Sequence, residues 1–222
     1  MAFKVGVVIV CAGEGKRLGK VDKAKVLIDG TPLYLKSIQV FKGIKPIKKI
    51  VLVLRKKHLP LAKKKINDPN VILVEGGNQR KDSVSNGISA LDKNINYVLI
   101  HDGARPFVRK ALIKAILDQL HKYPAVICGI RSPDTLKIVR NSYVKSTLDR
   151  RNIFLIQTPQ GFKKNLLLKA YKKIKNKAFT DDAQLLEFFG KRIKVVSGEV
   201  SNFKITYPQD VKLARAIDYE KL

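Results

Sequence analysis

Five short runs almost free of polar residues recur along this chain: Val5 to Cys11, Ile50 to Leu54, Val71 to Val74, Val98 to His101, and Ala125 to Gly129. Each is rich in β-branched residues and too short for a helix, which is how strands buried on both faces of a parallel sheet read. Amphipathic stretches separate them. Pro32 to Phe41 opens with proline, a residue suited to a first helical turn. Asp82 to Leu91 opens with Asp-Ser, and either residue suits an N-cap. Lys110 to Tyr123 carries Leu112, Ile113, Ile116, Leu117 and Leu120 at helical spacing. The alternation predicts βαβ units and an α/β, Rossmann-like, doubly wound, mostly parallel sheet. At 222 residues, a single α/β domain over 1–222 is expected.

After Gly129 the rhythm changes. Residues 131–158 hold turn formers, the alternating Thr135 to Val139, and the extended Phe154-Leu155-Ile156. They read as a β-arm leaving the sheet. Helical patterns resume at Asn165 to Ile174 and Asp181 to Phe189. A strand near Ile193 to Ser197 and a helix over Pro208 to Tyr219 follow.

The turn after the first strand carries the chemistry. Gly13, Gly15 and Gly19 are interleaved with Lys16 and Arg17, and Lys20, Lys23 and Lys25 follow. Such a turn puts bare backbone N–H groups at the carboxyl edge of the sheet, where open α/β folds bind ligands. Backbone donors aimed into a turn make an anion site. A dinucleotide fingerprint wants a third glycine where Leu18 stands, and an acid where Leu54-Arg55 stands. The Walker pattern is absent. Glycines with a guanidinium and an ammonium suit the about four negative charges of a nucleoside triphosphate.

The formal charge is +27, from 45 Lys+Arg against 18 Asp+Glu. The lysines are spread along the whole chain, which reads as a solvated basic surface more readily than as a nucleic-acid interface, and there is no Trp and no nucleic-acid-binding module. No apolar run is long enough for a membrane span. Cys11 and Cys128 lie in apolar strands without metal-ligand spacing, which fits reduced thiols in a cytoplasmic protein.

The order of the remaining motifs resembles a known family. The pattern Ala12-Gly13-x-Gly15-x-Arg17-x-Gly19 followed by Lys25 is similar to sugar-phosphate nucleotidyltransferases. Gly76 to Val84 (GGNQRKDSV), His101 to Pro106 (HDGARP), Thr158 to Phe162 (TPQGF), Thr180 to Ala183 (TDDA) and Asn202 to Thr206 (NFKIT) narrow it. Together they resemble 2-C-methyl-D-erythritol 4-phosphate cytidylyltransferases, from about Val7 to Asp210. Two departures are Ala24-Lys25, where the family usually has Pro-Lys, and Cys11-Ala12-Gly13, where it usually has Ala-Ala-Gly.

The resemblance implies transfer of CMP from CTP to methylerythritol phosphate, with release of pyrophosphate, in isoprenoid synthesis. Ribitol 5-phosphate cytidylyltransferase is the alternative within the same chemistry. Arg17, Lys25 and Lys204 are then the expected catalytic cations. Ala12, Gly13, Gly15, Gly77, Asn78 and Ser83 are expected around the nucleotide. Thr135, Arg150, Arg105 and Thr158 are expected on the alcohol-phosphate side, with Asp181 nearby. For Arg105 two readings stand, holding the loop or touching substrate. Arg151 competes with Arg150. Asp102 suits a Mg2+ ion bridging phosphates, or a cap on the following loop. His101 reads as a packed strand-end histidine, since a phosphate nucleophile needs no base. The family's arm reaches the active site of a second subunit, so a homodimer is implied, with Thr135 and Arg150 acting in trans.

Overall fold

The computed structural model describes residues 3–13, 15–19, 23–174 and 179–217. In chain order its strands are β1 (Val5–Val10), β2 (Leu27–Ile28), β3 (Thr31–Pro32), β4 (Ile47–Leu54), β5 (Val71–Glu75), β6 (Tyr97–Asp102), β7 (Ala125–Arg131), β8 (Lys137–Arg140), β9 (Tyr143–Thr147), β10 (Phe154–Lys163) and β11 (Lys194–Ser197). The helices are α1 (Leu33–Phe41), α2 (Leu59–Lys65), α3 (Arg80–Ser89), α4 (Lys110–Leu120), α5 (Lys164–Lys173), α6 (Asp182–Phe188) and α7 (Pro208–Ala216). Tyr219, the expected end of the last helix, lies outside the described residues.

Seven strands form one sheet in the order β11-β7-β10-β6-β1-β4-β5. The β1–β4, β1–β6, β4–β5 and β7–β11 pairs are parallel. Only β10 runs the other way, antiparallel to both β6 and β7. The chain builds outward from β1 through β4 to β5, then returns to the opposite side of β1 as β6. Strand order therefore reverses at β1/β6, and the turns leaving these two strands flank a topological switch point.

Both faces of the sheet are covered, which is why its strands are apolar throughout. On β1, Val5, Val7 and Ile9 pack into the cluster shared with α1 and α4, while Val8 faces Val84 and Ile88 of α3. All of these are fully or nearly fully buried. A third, smaller cluster lies beyond the sheet edge. Leu18, Val26, Ile28 and Leu33 meet Phe107, Ile205 and Ala214 there.

The expected arm over 131–158 divides in two. Residues 137–147 form the hairpin β8–β9, with every residue of both strands exposed. From Phe154 the chain is back in the sheet as β10, so the stretch Phe154-Leu155-Ile156 belongs to the sheet and not to a free arm. The reason is that β10 carries polar residues deep in the fold: Gln157, Thr158 and Gln160 are all buried. Pro159, at a register shift and after a cis Thr158–Pro159 bond, interrupts the ladder that sequence patterns rely on.

Candidate functional site

A cleft of about 400 Å³ opens at the carboxyl ends of β1 and β6. Its walls are Val10 to Gly13 and Gly15 from the first turn, Gly77 to Arg80 and Ser83 from the β5–α3 turn and α3, Asp102 to Ala104 after β6, and Lys204. Leu33, Tyr34 and Ala24 complete it. The expected nucleotide residues Ala12, Gly13, Gly15, Gly77, Asn78 and Ser83 thus converge on one cleft, together with Asp102 and Lys204.

The first turn takes its shape from Gly15, whose φ of 68° lies in the left-handed region. It leads into a single 3-10 turn over Lys16–Leu18, and the Leu18 N–H donates to the Gly15 carbonyl at 2.7 Å. Leu18 is then inserted into the third cluster at 1% exposure. Its position answers the missing third glycine of the dinucleotide pattern: an anchor stands where that motif needs a bare backbone. Arg17 and Lys25 are exposed and are not among the residues lining the cleft; Arg17 stands two residues beyond Gly15 and Lys25 follows Ala24, both of which do line it. Lys20 lies outside the described residues.

The opposing wall is built by close approach. A Cβ on Gly76 would come within 2.3 Å of the Ala12 Cβ and 2.9 Å of the Ser83 Oγ, so the two turns can meet only through glycine there. The Gly77 N–H donates to Ser83 Oγ at 3.1 Å. Neither Asp82 nor Ser83 is the helix N-cap, contrary to the expectation. Gln79 takes that position, and Asp82, one turn in, accepts from the Gln79 N–H at 2.9 Å.

The floor of the cleft is an ion cluster centred on Asp102. Lys204 Nζ lies 2.6 Å from Asp102 Oδ2, Arg80 Nε 3.7 Å from Oδ1, and Arg105 Nε 4.0 Å from Oδ2. Burial alone would raise the Asp102 carboxyl, but Lys204, Arg80 and Arg105 outweigh it and hold it well below the usual carboxylate range. Asp102 is therefore a carboxylate at any working pH. It is also the one carboxylate among the described residues lining the cleft.

Behind Asp102 a hydrogen-bond chain is fully internal. The Asp102 N–H donates to Thr158 Oγ1 at 3.0 Å, and Thr158 Oγ1 lies 3.2 Å from His101 Nδ1. His101 Nε2 lies 3.1 Å from the Arg105 carbonyl, which can only accept. The proton is thus on Nε2, and the threonine hydroxyl donates to Nδ1. Burial pushes His101 down to about 4, against the pull of Asp102, so the ring is neutral. His101 is packed, as its strand-end position implies.

Three further expected residues are engaged by the protein itself. Thr158 is buried with its hydroxyl engaged on both sides, so it supports Asp102 from behind and has no hydroxyl bond left to donate to a substrate. Arg105 donates to the Asn202 carbonyl at 2.6 Å and the Ile156 carbonyl at 3.5 Å, so of its two readings the structure favours holding the loop. Asp181 likewise caps α6, accepting from the Gln184 N–H at 2.8 Å, and binds Gln160. Thr135 and Arg150 are exposed on the hairpin side and do not line their own cleft. Arg151 is engaged by both oxygens of Asp149, with contacts of 2.6–3.0 Å, whereas Arg150 donates to the Pro133 carbonyl.

Arg80, in the cleft wall, and Asp182, which it meets, were not among the residues expected there. Both lie inside quoted motifs, but nothing in their spacing shows that Arg80 Nη1 meets Asp182 Oδ2 at 2.8 Å across two helices. Among the described residues, no group of three or more His, Cys, Asp or Glu gathers into a metal site. Among those residues, too, no helix is long and apolar enough to cross a membrane.

A glycine turn at the switch point of a mostly parallel sheet, facing a cluster of cations around one carboxylate, defines a nucleotidyltransferase. A family model for 2-C-methyl-D-erythritol 4-phosphate cytidylyltransferase matches residues 5–219, and the chain belongs to that family. Proteins of this name from Bacillus mycoides and Caldanaerobacter subterraneus are 37% and 38% identical to it. They cover 94% and 96% of this chain, and 95% and 97% of their own lengths. The crystal structure of 4-diphosphocytidyl-2C-methyl-D-erythritol synthase from Anaerococcus prevotii superposes with a TM-score of 0.86, at 35% identity and 99% coverage of both chains. The 2-C-methyl-D-erythritol 4-phosphate cytidylyltransferase structure from Thermus thermophilus gives 0.79 at 31% identity, covering 96% of this chain and 98% of its own.

Proposed function

We propose that this cleft transfers the CMP group of CTP to the phosphate of 2-C-methyl-D-erythritol 4-phosphate, giving the CDP-alcohol and pyrophosphate. A phosphate oxygen of the alcohol phosphate attacks the α-phosphorus of CTP. The bond from that phosphorus to the β-phosphate bridging oxygen breaks, and its electron pair leaves with pyrophosphate. The nucleophile is already an anion, so no general base is needed. The neutral, internally bonded His101 agrees with that economy. The difficulty is bringing two anions together and stabilising the charge that develops, so positioning and cations carry the reaction.

The observation that carries this reading is the convergence of the glycine turn with Lys204 and Asp102 on one cleft. Gly13 and Gly15 let backbone donors approach the phosphates. Arg17 and Lys25, exposed within and just after the first turn, supply cations to the triphosphate, and Lys204 meets it from the far wall. Ala12, Gly77, Asn78 and Ser83 receive the base and ribose. Family membership favours the methylerythritol substrate over ribitol 5-phosphate.

A divalent cation, Mg2+ by its hardness, fits Asp102. The protein offers one ionised oxygen donor there, and magnesium is commonly held by one or two carboxylates plus substrate phosphates. When bound it would neutralise phosphate charge. We assign the alcohol-phosphate contacts Thr135 and Arg150 to a second copy of the chain in a homodimer. Two observations support this: neither residue lines its own cleft, and the hairpin exposes Val139, Tyr143 and Val144 at 54%, 80% and 62%. Arg150 is preferred to Arg151 because its charge is not already matched by Asp149. Cysteines placed in apolar runs, Cys11 after β1 and Cys128 within β7, agree with a reducing, cytoplasmic setting.

The deciding experiment is CTP-dependent pyrophosphate release with each alcohol phosphate in turn. Methylerythritol phosphate is expected to turn over faster; faster turnover of ribitol 5-phosphate overturns the substrate assignment.

A further inference from the structure

Resting on that reading of the site, we propose that Arg80 is a further phosphate-binding cation of the cleft and that Asp182, with Tyr171, positions it. Arg80 is the first residue of α3 and lines the cleft beside Asp102 and Lys204. Its side chain is 30% exposed, and the carboxylate that holds it, Asp182, is 0% exposed. Asp182 Oδ2 forms an ion pair with Arg80 Nη1 at 2.8 Å, while the Tyr171 hydroxyl donates to Oδ1. Three helices, α3, α5 and α6, thus meet at one buried anion.

The asymmetry of this pair carries the inference. A buried ion pair is weak evidence for a stabilising role, because apolar residues of similar volume commonly serve the fold as well or better. What apolar residues cannot do is hold a guanidinium at the cleft wall. Asp182 lies behind, beyond solvent; Arg80 lies in front, with its Nε toward Asp102 Oδ1. Burial works against the Arg80 charge, but Asp182 and Asp102 keep it protonated. Burial and Asp182 likewise raise the Tyr171 hydroxyl far above its usual range, so it remains a donor to that carboxylate. With its charge paired to Asp182, the guanidinium still presents N–H donors in the fixed fork that suits phosphate oxygens. Phosphoryl oxygens of CTP and of the alcohol phosphate share this chemistry, and the separate KM values distinguish them.

The test exploits the replaceability of a buried ion pair. In the triple variant Arg80→Met/Asp182→Leu/Tyr171→Phe, every polar member of the network gives way to an apolar group of similar size. We expect it to fold and to melt cooperatively, with kcat/KM lowered about 100-fold, as for loss of one charge-stabilising donor. Arg80→Lys should recover part of that loss. The KM that rises more, for CTP or for the alcohol phosphate, names the phosphate that Arg80 binds. A folded triple variant working within about threefold of wild type would overturn the proposal, because a purely structural network predicts that recovery. Should the triple variant not fold, Asp182→Asn decides. It keeps Arg80 and the local volume while removing the charge that aims it. A rise of about tenfold in one KM supports positioning, and unchanged constants refute it. Arg17→Ala, run in the same assay, separates the two levels of the claim. If it cripples turnover while the Arg80 variants do not, only this inference falls. If neither matters, the reading of the cleft falls with it.

Discussion

Leu18→Ala tests how the phosphate turn is held. Leu18 is 1% exposed, and its six companions in the third cluster are all under 4%. Truncating a leucine so enclosed costs about 2–5 kcal/mol, from lost transfer energy plus the cavity left behind. The cluster is small, so about 3 kcal/mol is a reasonable centre. For a chain of this size each kcal/mol lowers the melting point by about 2–4 °C, giving a drop of roughly 6–12 °C. The functional effect is separate. The same 3 kcal/mol shifts the docking equilibrium of the turn by roughly 100-fold, so a turn docked by less than that becomes mostly undocked. Ile205, in the same cluster, follows Lys204 directly, so both sides of the socket loosen together. We expect kcat/KM for CTP to fall at least about tenfold, measured by initial rates of pyrophosphate release, with melting followed in parallel. A melting point lowered as calculated but an unchanged kcat/KM would show that the cluster supports the fold without presenting the turn. An unchanged melting point would show that Leu18 is not anchored at all.

Three further outcomes are expected. His101 titrates near 4 in the folded protein against about 6.5 unfolded. The unfolded chain therefore binds more protons between those values, and this one group removes about 3 kcal/mol of stability as pH falls from 6.5 to 4. Denaturant melts across that range should show the slope, and His101→Gln should lack it whatever its starting stability. Gly76→Ala drives a methyl against Ala12 and Ser83 and should cost about 1–3 kcal/mol by overpacking. It should raise the CTP KM more than that of the alcohol phosphate; equal effects on both would count against a base-binding wall. Arg150→Ala should raise the alcohol-phosphate KM more than the CTP KM, and an effect confined to Arg151→Ala would exchange their roles.

The apolar strands were legible because a sheet covered on both faces leaves no polar positions to confuse the pattern. The glycine turn was legible for the converse reason: its residue types have no other economical use after a buried strand. β10 was hidden because Gln157, Thr158 and Gln160 look like loop residues until their partners are known. Gln157 bonds both the N–H and the carbonyl of Glu199, and Gln160 reaches Asp181. Satisfaction of that kind depends on tertiary neighbours dozens of positions away, which no local pattern encodes. The same limit explains Arg80 and Asp182, whose pairing joins the starts of two helices separated by about half the chain. Thr158 illustrates the reverse error, where a motif residue beside the site serves its neighbours rather than the ligand.

The antiparallel strand wedged between β6 and β7 has a consequence for biosynthesis. Chains emerge from the ribosome amino end first. β6 and β7 are therefore complete while the segment that joins them, residues 154–163, is still to be made. During that interval two largely apolar strands have unzipped flanks, the kind of surface that recruits other nascent chains. A pause in translation after β7 has left the ribosome but before β10 has done so should thus aggregate this protein more than a pause placed once β10 has also emerged.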